Sequence, residues 1–70
     1  MRTKTYSVPG MHCGHCKAAV MRELEGVSGV HCVEVDLETK LVTVAGDRLD
    51  EASLVEAIDE AGYEAELVAG

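Results

Sequence analysis

Pro9-Gly10-Met11-His12-Cys13-Gly14-His15-Cys16 decides how the rest of the chain is read. The stretch opens on a breaker pair and carries two thiols at C-x-x-C spacing. It then runs into a segment whose apolar residues recur every third or fourth position instead of every second. Cys13 and Cys16 are therefore placed on a loop between a strand and the start of a helix. A helix start offers unbonded N–H groups and the positive end of the macrodipole, and both favour thiolate over thiol. With His12, His15 and Lys17 close by in sequence, both thiols are expected to titrate below the ordinary value of about 8.5. Two thiolates make a soft donor pair. Copper(I) accepts two sulfurs almost in line, so a loop that supplies two sulfurs and little else suits that ion.

Before the loop, Thr3 to Val8 alternates, with Tyr6 and Val8 in an inward row that Lys4 interrupts, which predicts a strand. After it, Cys16, Ala19, Val20, Leu24 and Val27 form a stripe of helical period, with Gly26 and Gly29 closing the helix. The stripe includes Cys16 and omits Cys13, which predicts that Cys16 faces the core and Cys13 faces solvent. Further on, Val33, Val35 and Leu37 alternate with Glu34 and Asp36. Glu38-Thr39-Lys40 makes a tight connection and Val42 and Val44 follow, a hairpin with one wet face. Asp50 is placed to cap a second helix with the stripe Leu54, Val55, Ile58 and Ala61, and Gly62 to end it. Ala65 and Leu67, alternating with Glu64 and Glu66, read as a last short strand. The order β-α-β-β-α-β predicts an α+β, ferredoxin-like sandwich over residues 1–70 as one domain. Its four-stranded antiparallel sheet carries both helices on one face and is polar on the other.

Composition narrows the partners. The 70 residues hold 13 acidic and 6 basic side chains, a net charge of −7, which argues against nucleic acid and anionic membrane surfaces. No run approaches the roughly 18 apolar residues of a membrane span and no apolar leader segment opens the chain, so direct membrane insertion is not expected. Three cysteines, two of them too close in sequence to staple a secreted fold, read as reduced thiols in the cytoplasm. Proteins and small cations remain as partners. Lys17 and Arg22 follow the loop while acidic residues crowd the stretch from Asp47 to Glu66, which predicts a less negative flank beside the thiols.

Gly10-Met11-His12-Cys13-Gly14-His15-Cys16 after a first strand, Val33-Glu34-Val35-Asp36-Leu37 in the second, and Ala61-Gly62-Tyr63 after the second helix resemble the heavy-metal-associated domain family over essentially the whole chain. Within it, the chain is most similar to small bacterial cytosolic copper chaperones. The resemblance implies that Cys13 and Cys16 ligate Cu(I), that Met11 anchors the loop and that Tyr63 lies close to the metal. His12 and His15 stand at positions the family varies. It also implies delivery, by ligand exchange, to the N-terminal metal-binding domains of a copper-transporting P-type ATPase, and no enzymatic activity.

The other readings weigh less. Structural zinc wants four ligands, usually as two spaced pairs. Met11 reads as a packing anchor ahead of a thioether ligand. His15 is a candidate to hydrogen-bond a thiol, against a solvated loop imidazole, and His12 reads as solvated. Tyr63 is placed at the loop's end of the sheet. Cys32 shares the parity of Glu34 and Asp36 and so belongs on the open sheet face, and His31 is assigned no function. A thiol–disulfide oxidoreductase would also put C-x-x-C at a helix start. Against it stand the short chain, the lack of an aromatic residue before Cys13 and a single proline, Pro9, next to the motif. A metal-binding module of a larger transporter is the other alternative; Met1 directly ahead of the first strand and Tyr63 after Gly62 favour a free-standing protein. A monomer is expected, with a copper-bridged dimer left open.

Overall fold

Six segments follow the expected order: β1 (Arg2–Ser7), α1 (Gly14–Glu25), β2 (Val30–Asp36), β3 (Leu41–Gly46), α2 (Glu51–Glu60) and β4 (Glu66–Ala69). They are seen in a computed structural model that describes residues 2–11 and 14–69. The strands make a four-stranded sheet in the order β2-β3-β1-β4, with every neighbouring pair antiparallel. Register builds the inner face row by row. Val35 pairs with Val42, Val42 with Tyr6 and Tyr6 with Leu67, while Val33 pairs with Val44 in the next row. Tyr6, Val33, Val42 and Val44 are buried together with Val20 and Leu24 of α1 and Leu54, Ala57 and Ile58 of α2. One cluster shared by both helices requires both to lie on the same face of the sheet.

The opposite face follows from the same period-two rule. Thr3, Thr5 and Ser7 of β1, Leu41, Thr43 and Ala45 of β3, and Cys32, Glu34 and Asp36 of β2 pair along it, so it is mainly polar and Cys32 is exposed on it, as expected. A bulge intervenes next to Cys32 without moving it. Val30 pairs with Gly46 and Cys32 with Ala45, leaving His31 as the extra residue. His31 is exposed, and its Nε2 lies 3.3 Å from Oδ2 of Asp47.

Asp50 caps α2 as its position implied. It is extended, its Oδ1 accepts from the Ala52 amide at 3.1 Å, and its Oδ2 accepts from the Ser53 hydroxyl at 3.1 Å. At the other end Gly62 takes the left-handed conformation, φ +94°, and its amide donates to the Asp59 carbonyl.

Several local expectations need correction. The first strand spans Arg2–Ser7, and Val8 lies just past it, still fully buried. Gly29 does not close α1, which ends at Glu25. Gly29 sits where β2 begins and the end of β3 comes close. Its φ is +90°, its carbonyl accepts from the Asp47 amide at 2.9 Å, and a Cβ there would stand 2.2 Å from the Asp47 carbonyl oxygen. Leu37 belongs to the turn and not to β2, because Asp36 Oδ1 accepts from the amides of Glu38 and Thr39 and ends the strand. The last strand begins at Glu66 instead of Ala65, and Leu67 is 38% exposed. A four-residue edge strand paired on one side alone leaves its inward residue at the rim of the core.

Candidate metal centre

The loop lies where several chain ends converge. Val8, just past β1, donates its amide to the Lys40 carbonyl at 2.8 Å, and the Met11 amide donates to the Val8 carbonyl at 3.2 Å. The chain thus turns through Pro9 and Gly10 in a loop held shut by its own backbone and tied to the residue before β3. Met11 then points inward and is fully buried in the shared core. That places it as the packing anchor read from the sequence: an unbranched apolar side chain seated in the core fixes where the following residues leave the surface.

α1 starts at Gly14, so Cys16 stands in its first turn. Cys16 is half-buried and packs against the core, in line with the side of the helix the stripe assigned to it. Val27 packs at the margin of the same face and Ala19 is half-buried, while Val20 and Leu24 are fully buried. His15, Lys17 and Ala18 are exposed. His12 and Cys13, and with them the expectation that Cys13 faces solvent, lie outside the described residues. Among the described residues no group of three or more His, Cys, Asp or Glu side chains is arranged to hold a metal ion.

Tyr63 reaches this end of the molecule from the other half of the chain. Past the α2 terminus its amide donates to the Ile58 carbonyl at 3.2 Å, and its half-buried ring packs on the core. A Cβ on Gly10 would stand 3.1 Å from Cδ1 of Tyr63, so the absence of a side chain at residue 10 is what lets the ring lie against the loop. The pair confirms the placement of Tyr63 beside the loop. The groove it borders, lined by Pro9, Val55 and Ala65, is rimmed by the carboxylates of Glu51, Glu56 and Glu66.

One residue of this region was not among the sequence candidates. Lys40 closes the β2–β3 turn with φ +63°, its carbonyl accepts the Val8 amide, and its ammonium donates to the carbonyl of Met11. It therefore touches the loop at both of its described ends. The sequence carries a faint sign of it: a non-glycine residue at the last position of a tight Asp-initiated turn, at the sheet end the motif occupies.

The described part of the site offers one soft donor. Cys16 brings a half-buried sulfur at a helix start, Met11 is buried in the core ahead of it, and the Tyr63 ring lies against Gly10. Comparisons with known proteins agree with this geometry. The heavy-metal-associated domain model matches residues 5–64. The copper chaperone CopZ of Staphylococcus aureus (strain bovine RF122 / ET3-1) is 38% identical over 66 residues, covering 91% of this chain and 97% of its own length. A solved CopZ metallochaperone superposes with a TM-score of 0.88 at 34% identity, over 93% of this chain and 100% of the other. A copper binding domain from HMA7, a P-type ATPase, superposes with a TM-score of 0.93 at 35% identity, over 99% and 96% of the two chains.

Proposed function

The chain belongs to the heavy-metal-associated domain family, and we propose that it is a copper(I) chaperone that holds Cu(I) between the sulfurs of Cys13 and Cys16 and passes it to a copper-transporting P-type ATPase. The observation that carries this reading is the seat of Cys16, half-buried in the first turn of α1, after a loop anchored by the buried Met11 and met at Gly10 by the Tyr63 ring. A sulfur held there can stay on the metal while its partner exchanges. Cys13, three residues earlier and off the apolar stripe, is assigned the outer role.

Transfer then proceeds by ligand exchange. An acceptor thiolate adds to Cu(I), a three-sulfur intermediate forms, and the copper–sulfur bond to Cys13 breaks first, with no change in the metal's oxidation state. Copper(I) tolerates two or three sulfurs, so the intermediate costs little. The similarity to both a copper chaperone and a copper binding domain of a P-type ATPase supports the route, since donor and acceptor would present the same fold to each other. The match runs over 97% of the CopZ relative's own length, which supports reading a domain of this size as sufficient for carrying copper. No described helix is long and apolar enough to cross a membrane.

Anaerobic titration with Cu(I) against a bathocuproine-type competitor tests the reading. One copper per chain is expected, with an X-ray absorption shell made of sulfur alone and binding lost in a Cys13→Ser/Cys16→Ser variant. A shell dominated by nitrogen or oxygen, or unchanged binding in that variant, refutes it. Rapid reduction of insulin disulfides by the apo-protein would point instead to thiol redox chemistry.

A further inference from the structure

We propose that Lys40 is the positioning residue of the metal loop: its ammonium, bonded to the Met11 carbonyl, ties the loop to the β2–β3 turn and sets a positive charge beside the site that two thiolates and one Cu(I) leave negative. The inference rests on the copper reading above for its second half; the tether stands on the geometry alone.

Three features single this lysine out. First, its backbone and side chain act on the same loop, the carbonyl taking the Val8 amide at 2.8 Å and the ammonium reaching the Met11 carbonyl from 29 residues away in sequence. Second, it is half-buried in a left-handed conformation, φ +63°, in which a non-glycine residue is held against its preference by the contacts around it. Third, the bond has a direction that matters. A lysine has three donors and no acceptor, so it can bind the loop only through carbonyl or anionic groups. The carbonyl that Lys40 holds belongs to the residue two before Cys13 in the sequence, so the cation is fixed at the entry to the metal loop. One Cu⁺ and two thiolates sum to −1. A fixed cation there favours an anionic loaded site and costs no rearrangement on binding, because it is already seated in the apo-protein.

The test compares K40M, K40Q and K40R with the wild type by two independent readouts. Amide hydrogen exchange on the apo-protein reports the tether without any metal. Cu(I) competition with bathocuproine reports the site. K40M is expected to speed exchange at the Met11 amide and to weaken Cu(I) binding, each by about tenfold, the factor that loss of one hydrogen bond from a charged donor brings. Exchange in the middle of α2 should stay as it is. K40R, which keeps charge and donor, should bring both values back to within about threefold of the wild type. Unchanged exchange in K40M overturns the tether, and faster exchange with unchanged copper affinity overturns its bearing on the site. Failure of K40R to restore either value assigns the effect to side-chain fit and overturns the role of the charge. If K40M does not fold, K40Q gives the same comparison. If the wild type takes up no Cu(I), the functional reading fails, and the apo exchange data still decide the tether.

Discussion

Tyr6 is the residue at which local chemistry and global packing conflict. It faces inward from a middle strand of the sheet, fully buried, and its hydroxyl has no hydrogen-bond partner among the described residues. Burial is the main reason its pKa is raised above 10.0, and the carboxylates of Glu51 and Asp50 add to it. An unsatisfied buried hydroxyl is a desolvation cost without return, so Tyr6→Phe should leave the apo-protein as stable as the wild type or stabilise it by about 1 kcal/mol. The midpoint of urea unfolding at pH 7 checks this, and a loss of stability would mean the hydroxyl is paired in solution. The sign of the pH effect follows from the raised pKa. Below pH 10 the ring is protonated in both states and its contribution is intact. As pH rises through 10 toward the folded value, the unfolded chain loses the proton first and stability falls, a decline that the phenylalanine variant should lack. Alternation in Thr3 to Val8 was enough to point Tyr6 inward, but which hydroxyls find partners depends on side chains arriving from α2, and nothing local in β1 encodes that. Lys40 is the same lesson at the site: its place at the end of a turn was legible, whereas its hold on Met11 joins residues 29 apart.

Helices and strands were legible in proportion to how much of their stability is local. Both helices show an apolar stripe, and α2 begins directly after Asp50, whose side chain caps it. Asp50→Ala should therefore lower stability by about 1 kcal/mol, while Asp50→Asn, which keeps an acceptor for the Ala52 amide, should cost only a few tenths. Thermal unfolding of the two variants side by side decides it, and equal losses would show that charge, not capping, carries the effect. The strands were harder to place at their ends. β4 starts later than its alternation suggests because an edge strand is defined by what β1 offers it, and the pairing shifts register between Thr5 and Tyr6. Gly29 was misread as a helix stop because a glycine required by the near contact of two strands looks, in sequence, like a glycine required by a turn. Of the C-x-x-C loop, the inward side of Cys16 was legible from the stripe it belongs to, and Tyr63 was placed only because the topology brings the end of α2 to Gly10.

The molecule as a whole carries −7, and the structure distributes that charge less simply than a basic flank against an acidic one. Lys17 and Arg22 are both exposed on α1. Lys17 stands over a groove lined by Glu34, Asp36 and Glu38, and Arg22 looks onto the seam between the helices with Glu23, Glu56 and Glu60. Each cation is therefore set among carboxylates. Their joint effect is to relieve the negative field along the exposed face of α1, while the Tyr63 groove, rimmed by Glu51, Glu56 and Glu66, carries no cation among the described residues. For a copper carrier that must bring its loop against an acceptor's, relief of that field acts on the encounter rate more than on the affinity of the complex. Reversing both charges, K17E/R22E, should slow copper transfer to an acidic acceptor domain by about tenfold at low ionic strength, where the Debye length is about 30 Å at 0.01 M. At 1 M salt, where screening falls to about 3 Å, the variant and the wild type should transfer at the same rate. Stopped-flow transfer kinetics at the two salt concentrations, with copper occupancy matched beforehand, make the comparison. Equal rates at low salt would place the docking face away from α1, and a deficit that persists at high salt would mean that the two side chains make direct contacts in the complex instead of steering its formation.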